Sequence, residues 1–182
     1  MNVTYIPGSN HTVDLAGTTQ FGTPGLNLGG TVLEDVLRPF PPTLFHSEAI
    51  TGTLQDRVVR MGDGTLAFYT RIKEFSGSQG ITEMTFNWLV TSPPPTINFD
   101  FRTDGLGVIG PSRVSYENSG QIRWTFNPVV TPTALSRFMF MIVPGVTRYL
   151  RPGVAGDNRV GIRGGDYWAT SPAIFCFAPD LS

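Results

Sequence analysis

Lysine is nearly missing from this chain: Lys73 stands alone, and Lys and Arg together number 13 against 14 Asp and Glu in 182 residues. Charged residues make up 15%, where about 25% is usual, and the formal net charge is -1. That balance leaves no electrostatic footprint for nucleic acid or an anionic membrane. Arginine in place of lysine suits forked bonds to carboxylates and laced sheet faces, and a surface so poor in charge is prone to self-association. The single cysteine, Cys176 within Ile174-Phe175-Cys176-Phe177, excludes an internal disulfide and reads as a small buried hydrophobe in a terminal strand. His11 and His46 are the only histidines, both in Thr-, Asn- or Pro-rich surroundings without the paired spacing of a zinc site, so they read as surface-loop residues. No apolar run approaches the roughly 18 residues of a membrane span. The start, Met1-Asn2-Val3-Thr4-Tyr5, lacks the basic and apolar regions of a signal peptide, which fits a chain kept inside or a mature one. No capped helical periodicity is visible beyond a possible turn at residues 133–137.

What is present is a series of short alternating apolar runs cut apart by glycine and proline. Ile97, Phe99 and Phe101 alternate with Asn98, Asp100 and Arg102, and Ile122, Trp124 and Phe126 alternate with Arg123 and Thr125. Successive side chains on a strand point to opposite faces, so each run is a ribbon with one apolar and one wet face. Gly 21 and Pro 15 exceed the usual combined share of about 12% and fall between the runs, which marks turns. Ile50, Leu54 and Val58 share one parity, Gly62-Asp63-Gly64 supplies a hairpin turn, and residues 65–73 return with Leu66, Phe68 and Ile72 inward and Tyr69, Arg71 and Lys73 outward. Residues 82–90 form a strand with Met84, Phe86, Trp88 and Val90 on one parity, stopped by the rigid connector Ser92-Pro93-Pro94-Pro95. A second hairpin pairs residues 113–117 with 121–127.

Three segments depart from this pattern. Residues 31–37 are a sustained run that Arg38-Pro39-Phe40-Pro41-Pro42 is expected to end, with a loop to about residue 49. Residues 138–143 are apolar on both parities, so both faces must be covered, by a packed layer or by a partner subunit. Residues 144–166 read as a Gly- and Arg-rich tail with few apolar anchors before a last strand at 173–177. The predicted fold is all-β: one antiparallel β-sandwich, jelly-roll-like, over residues 17–182, preceded by an extended N-terminal arm at 1–16 that becomes strand only by pairing.

Chemistry is sparse. No Gly-x-Ser-x-Gly elbow is present, and Cys176 lies in an apolar run, which argues against nucleophilic hydrolysis. Asp35, Asp56, Glu83 and Asp100 sit on strands beside arginines, where cross-strand pairing explains them better than glycoside hydrolysis does. The glycines of residues 104–111 lack the lysine and helix of a phosphate loop. Asp63, Asp104 and Asp157-Asn158 place oxygens in turns without the spacing of a calcium loop, so no metal or cofactor is expected, a structural cation being the minor alternative. Trp88 and Trp124 are expected in the core, and Trp168 and Tyr149 are the candidates for exposed glycan contact. Asn2-Val3-Thr4 and Asn10-His11-Thr12 are sequons that matter only in a secreted chain.

Several segments together resemble bacterial secreted surface proteins of the PEP-CTERM or similar sorting-anchor type. They are Gly30-Thr31-Val32-Leu33-Glu34-Asp35-Val36-Leu37-Arg38-Pro39-Phe40, Gly52-Thr53-Leu54-Gln55-Asp56-Arg57-Val58-Val59-Arg60 and Gly64-Thr65-Leu66-Ala67-Phe68-Tyr69. Arg102-Thr103-Asp104-Gly105-Leu106-Gly107 with Gly110-Pro111, and Phe177-Ala178-Pro179, complete the set. The resemblance implies a β-rich extracellular domain without assigned activity, of matrix or envelope type; the anchor helix and basic tail of that pattern are not present in these residues.

The expectation is therefore a noncatalytic extracellular or cell-surface structural protein, a subunit of a filament, matrix or envelope. It would form a homo-oligomer or polymer by strand addition of its arm. Val3, Tyr5, Val13 and Leu15 would specify the donor strand, with Phe138, Phe140 and Ile142 lying beside the acceptor groove. A carbohydrate-binding module and a viral capsid or decoration jelly roll are the alternatives.

Overall fold

In the computed structural model the described residues are 2–4, 11–21, 26–27, 30–45, 48–87, 96–117, 120–152, 159–164 and 167–181. They contain strands and turns and no helix. In chain order the first strands are β1 (Asn2–Thr4), β2 (His11–Asp14), β3 (Gln20–Phe21), β4 (Leu26–Asn27) and β5 (Gly30–Phe45). Next come β6 (Glu48–Met61), β7 (Leu66–Ser76), β8 (Ile81–Asn87), β9 (Thr96–Phe101), β10 (Arg113–Tyr116) and β11 (Gln121–Val130). The last are β12 (Met139–Ile142), β13 (Tyr149–Leu150), β14 (Arg159–Gly164), β15 (Tyr167–Phe175) and β16 (Ala178–Pro179).

Two six-stranded antiparallel sheets carry the fold, in the orders β1-β9-β12-β7-β6-β5 and β15-β14-β8-β11-β10-β2. β5, β6 and β7 form a meander; the chain then passes to β8 in the second sheet, back to β9, over to the β10–β11 hairpin, back to β12 and over to β14–β15. One core cluster draws on both sheets, with Leu54, Val58, Leu66, Phe68 and Met141 from the first and Met84, Phe86, Ile122, Trp124 and Val160 from the second. Trp124 is 0% exposed and meets Phe99 of the first sheet edge-on at 5.9 Å. The alternation read in residues 50–73 is the β6–β7 hairpin, paired from Thr51↔Ser76 to Arg60↔Leu66 with a register shift between Thr53 and Leu54. Its turn closes as Gly64, at φ 87, donates to Met61 O and Thr65 N–H donates to Asp63 Oδ1. The second expected hairpin is β10–β11.

Three expectations are corrected. The prolines at 39, 41 and 42 do not end the strand: among the described strands β5 is the outermost of its sheet, where every second N–H points away from the ladder, and Pro41 and Pro42 fall in the register shift between Phe40 and Thr43. The Gly- and Arg-rich stretch contains a strand, β14, whose Val160 and Ile162 reach the core while Gly161 allows close approach to Thr85 Oγ1, 2.6 Å from where a Cβ would stand. Residues 131–137 hold a Thr131↔Ala134 bridge in place of a helical turn. Trp88 and the triple proline lie outside the described residues.

Candidate functional site

The N-terminal segment touches both sheets in turn. β1 lies antiparallel on β9, with Val3 opposite Ile97. β2 lies antiparallel on β10, with Val13 opposite Val114, and Leu15 N–H extends that ladder to Ser112 O at 2.9 Å. The chain then returns to the first sheet. Gly17 N–H donates to Asp100 Oδ1 at 3.0 Å, Thr18 N–H to Phe101 O at 2.8 Å, and Thr103 N–H to Thr18 O at 3.2 Å. Gly17 has φ 75, and a Cβ there would stand 2.5 Å from the Phe101 ring and 2.6 Å from the Thr103 methyl, so backbone freedom and space both demand glycine.

Asp100 is only 8% exposed and also accepts from Phe101 N–H at 2.9 Å. Burial pushes its carboxyl above the usual value, with the two amide donors working against that rise. Of the arm residues expected at an interface, Val13 and Leu15 pack half-buried against the chain's own core, Val3 is paired through its backbone, and Tyr5 lies outside the described residues.

Phe138, Phe140 and Ile142 face away from the common core, on the outer side of the first sheet. They form a second buried cluster with Val59, Met61, Ala67 and Tyr69. The Arg57 and Arg71 guanidinium groups stand 4.8 and 5.0 Å from the Phe138 ring centre. Arg71 Nε donates to Gln55, Gln55 donates to Asp35 at 2.8 Å, and Asp35 accepts from Arg57 at 2.7 Å. Arg102 forks onto Asp104 at 2.8 and 2.7 Å while lying 5.9 Å from the Tyr69 ring centre. Long arginine stems thus cover this apolar patch within the single chain, with the Arg57 and Arg102 ends tied to carboxylates and the Arg71 end to Gln55. Burial pushes the Tyr69 phenol up to about 12. It works against the ionised Asp35 too, but the Arg57 and Gln55 bonds outweigh it and hold Asp35 low.

The inner side of the β5–β6 hairpin carries two carboxylates among apolar neighbours. Asp56, 1% exposed between Leu54 and Val58 on the core parity, accepts from Arg38 Nε at 2.7 Å and from Phe177 N–H at 2.9 Å. The Cys176 thiol donates to it as well. Arg38 stands 4.7 Å from the Phe177 ring centre, and Tyr149 meets that ring edge-on at 5.6 Å. Glu34 accepts from Tyr149 Oη at 2.6 Å and from Arg151 at 2.5 Å. Together these bonds strap β13 and β16 onto the hairpin. Parity could have flagged Asp56, a carboxylate in the apolar column of its strand; no local signal joined it to Cys176.

Burial pushes the Cys176 thiol well up, and the Asp56 charge adds to the rise. The folded protein is expected to resist alkylation by a maleimide over hours at pH 7.5 and to react at once in denaturant; fast labelling of the folded chain would contradict this seating. Asp56 and Asp100 are raised from 3.8, so the folded state holds their protons longer than the unfolded state does. Their contribution to stability is therefore full below 3.8 and is lost as pH rises through the folded values. Asp35 and Asp104 are lowered, so their contribution is lost below 3.8 as pH falls. Denaturant midpoints of the wild type and Asp56→Asn, measured from pH 4 upward, are expected to show a falling Asp56 contribution in the wild type and none in the variant. Parallel curves would contradict that assignment.

The strand carboxylates are occupied. Asp35, Asp56 and Glu83 pair with Arg57, Arg38 and Arg163, whereas Asp100 takes backbone amides instead of the expected arginine. Tyr149 is half-buried and bonded to Glu34; Trp168 lies in β15 opposite Arg163. Trp124 is in the core as expected, His11 lies in β2, and His46 is outside the described residues. Among the described residues no group of three or more His, Cys, Asp or Glu gathers as a metal site. No helix among them is long and apolar enough to cross a membrane. The arrangement defines a sandwich-like all-β protein whose most developed polar features bind its own chain segments. Comparison with protein families, curated proteins and solved structures returns no match.

Proposed function

We propose that this chain is a noncatalytic structural subunit of the cell exterior, a jelly-roll-like sandwich that self-assembles by strand addition of its N-terminal arm. The observation that carries the reading is the arm's seat: one segment supplies an edge strand to each sheet, largely through main-chain bonds that any copy can offer equally. The engagement of Asp35, Asp56, Glu83 and Asp100 in structural bonds supports a role without catalysis. The resemblance to sorting-anchor surface proteins supports the exterior location. The bonded, half-buried Tyr149 weighs against the glycan-binding alternative.

The test is the particle formed by purified protein in negative stain, with and without a synthetic peptide of residues 2–18. The reading expects filaments, sheets or shells from the full chain, and shortening or loss of them when the peptide caps the acceptor edges. Particles of one protomer at every concentration, or assemblies indifferent to the peptide, would overturn it.

A further inference from the structure

We infer, on the self-assembly reading above, that residues 2–18 exchange between copies as one unit and that the bond from Gly17 to Asp100 is the clasp that holds the arm closed. The arm engages the body at three successive points on alternating sheets: β1 on β9, β2 on β10, and residues 17–18 on residues 100–103. The body begins at Gly30, which is packed so tightly that a Cβ would stand 2.2 Å from Arg60 O. Between these anchors, the sequence of residues 19–29 contains Gly22, Gly25 and Gly29, and among the described residues of that stretch β3 pairs with β4 over two residues. Opened, that connection reaches about 36–40 Å, far enough to hand the arm to an adjoining copy.

Exchange restores every arm contact in the neighbour and alters only the connection, so closed and exchanged forms are close in energy. A reciprocal exchange closes a two-fold pair, and a one-way exchange runs on as a chain. The clasp sets the barrier because Asp100 is a buried charged acceptor for Gly17 N–H, and the Gly17 seat, walled by Phe101 and Thr103, admits no other residue. Across the outermost ladder, Asp14 and Arg113 pair in an exposed position that salt screens.

The register supplies the probe. Leu15 and Ser112 form a hydrogen-bonded pair, so alternation makes Thr12 and Ser115 a non-hydrogen-bonded pair, with side chains close together on the outer face. A Thr12→Cys chain mixed with a Ser115→Cys chain and then oxidised gives a heterodimeric disulfide only if the arm of one copy seats on β10 of another. A single chain carrying both changes is the control that the pair can close. The proposal expects the mixed cross-link, and with Asp100→Asn added its rate rises about tenfold or more, while hydrogen exchange of the β7 and β12 amides stays unchanged. Assemblies without the mixed cross-link would overturn exchange and leave self-assembly standing; neither assemblies nor cross-link would overturn both. A cross-link whose rate ignores Asp100→Asn, or a variant that loosens β7 and β12 equally, would overturn the clasp.

Discussion

Replacing Asp56 with alanine is expected to destabilise the protein by about 3–5 kcal/mol, because it leaves a charge without its buried partner. Three donors converge on this carboxylate: Arg38 Nε, Phe177 N–H and the Cys176 thiol. Alanine strands all three. The Phe177 amide is sealed in the interior, and an unmet buried donor there carries a desolvation cost of its own, about 1–3 kcal/mol. The loss is also directional. Phe177 is held between Arg38 and Tyr149, and Tyr149 in turn bonds Glu34, so the β13–β16 strap should loosen before the rest. In hydrogen exchange the variant should lose protection at Cys176–Phe177 while Val58 and Phe68 keep theirs relative to global stability. A denaturation midpoint equal to wild type would contradict the role given to Asp56.

Trp124→Ala is expected to cost about as much, roughly 3–5 kcal/mol, through a different mechanism: removal of a large side chain that the rigid surroundings cannot refill. Trp124 is 0% exposed at the centre of β11, and through its contact with Phe99 it ties the second sheet to the first. For a chain of this length that loss corresponds to a fall in melting temperature of roughly 6–20 °C. Its Nε1–H finds no acceptor in the core. Phenylalanine keeps most of the apolar volume and removes that unmet donor, so Trp124→Phe should retain more than half of the stability that alanine loses. A pair of variants with equal losses would mean that the indole N–H is satisfied or that the site collapses freely.

The sheet architecture was legible wherever one face of a strand is apolar and the other polar. The β6–β7 and β10–β11 hairpins fell out of the parity of Ile50, Leu54, Val58 and of Ile122, Trp124, Phe126 with a glycine turn between the strands. Proline misled at residues 39–42, because its effect depends on whether a strand is an edge, and edge status is set by partners far along the chain. β14 was overlooked because glycine at 161 removes one side chain of an alternating run. The polar faces were the hardest to read: Gln55 and Arg71 look wet in sequence, yet they lie buried, bonded to each other beneath the arginine groups that lie over Phe138 and Tyr69. The first residues read as isolated apolar positions without a core of their own, and two pieces of them pair as strands, β1 on β9 and β2 on β10. That these pieces reach both sheets depends on β9 and β10 each lying next to an end of its sheet, with residues 15 and 18 bonded to Ser112 and Phe101, an arrangement of distant segments with no local trace.

The most direct test of the account is to lock the arm onto its own body. The chain carrying Thr12→Cys and Ser115→Cys together, oxidised at high dilution and isolated as single molecules, is then concentrated and its mass followed by light scattering before and after reduction. The account predicts that the locked protein stays a monomer and that reduction releases assembly. Assembly of the locked protein to the size reached by wild type would contradict it.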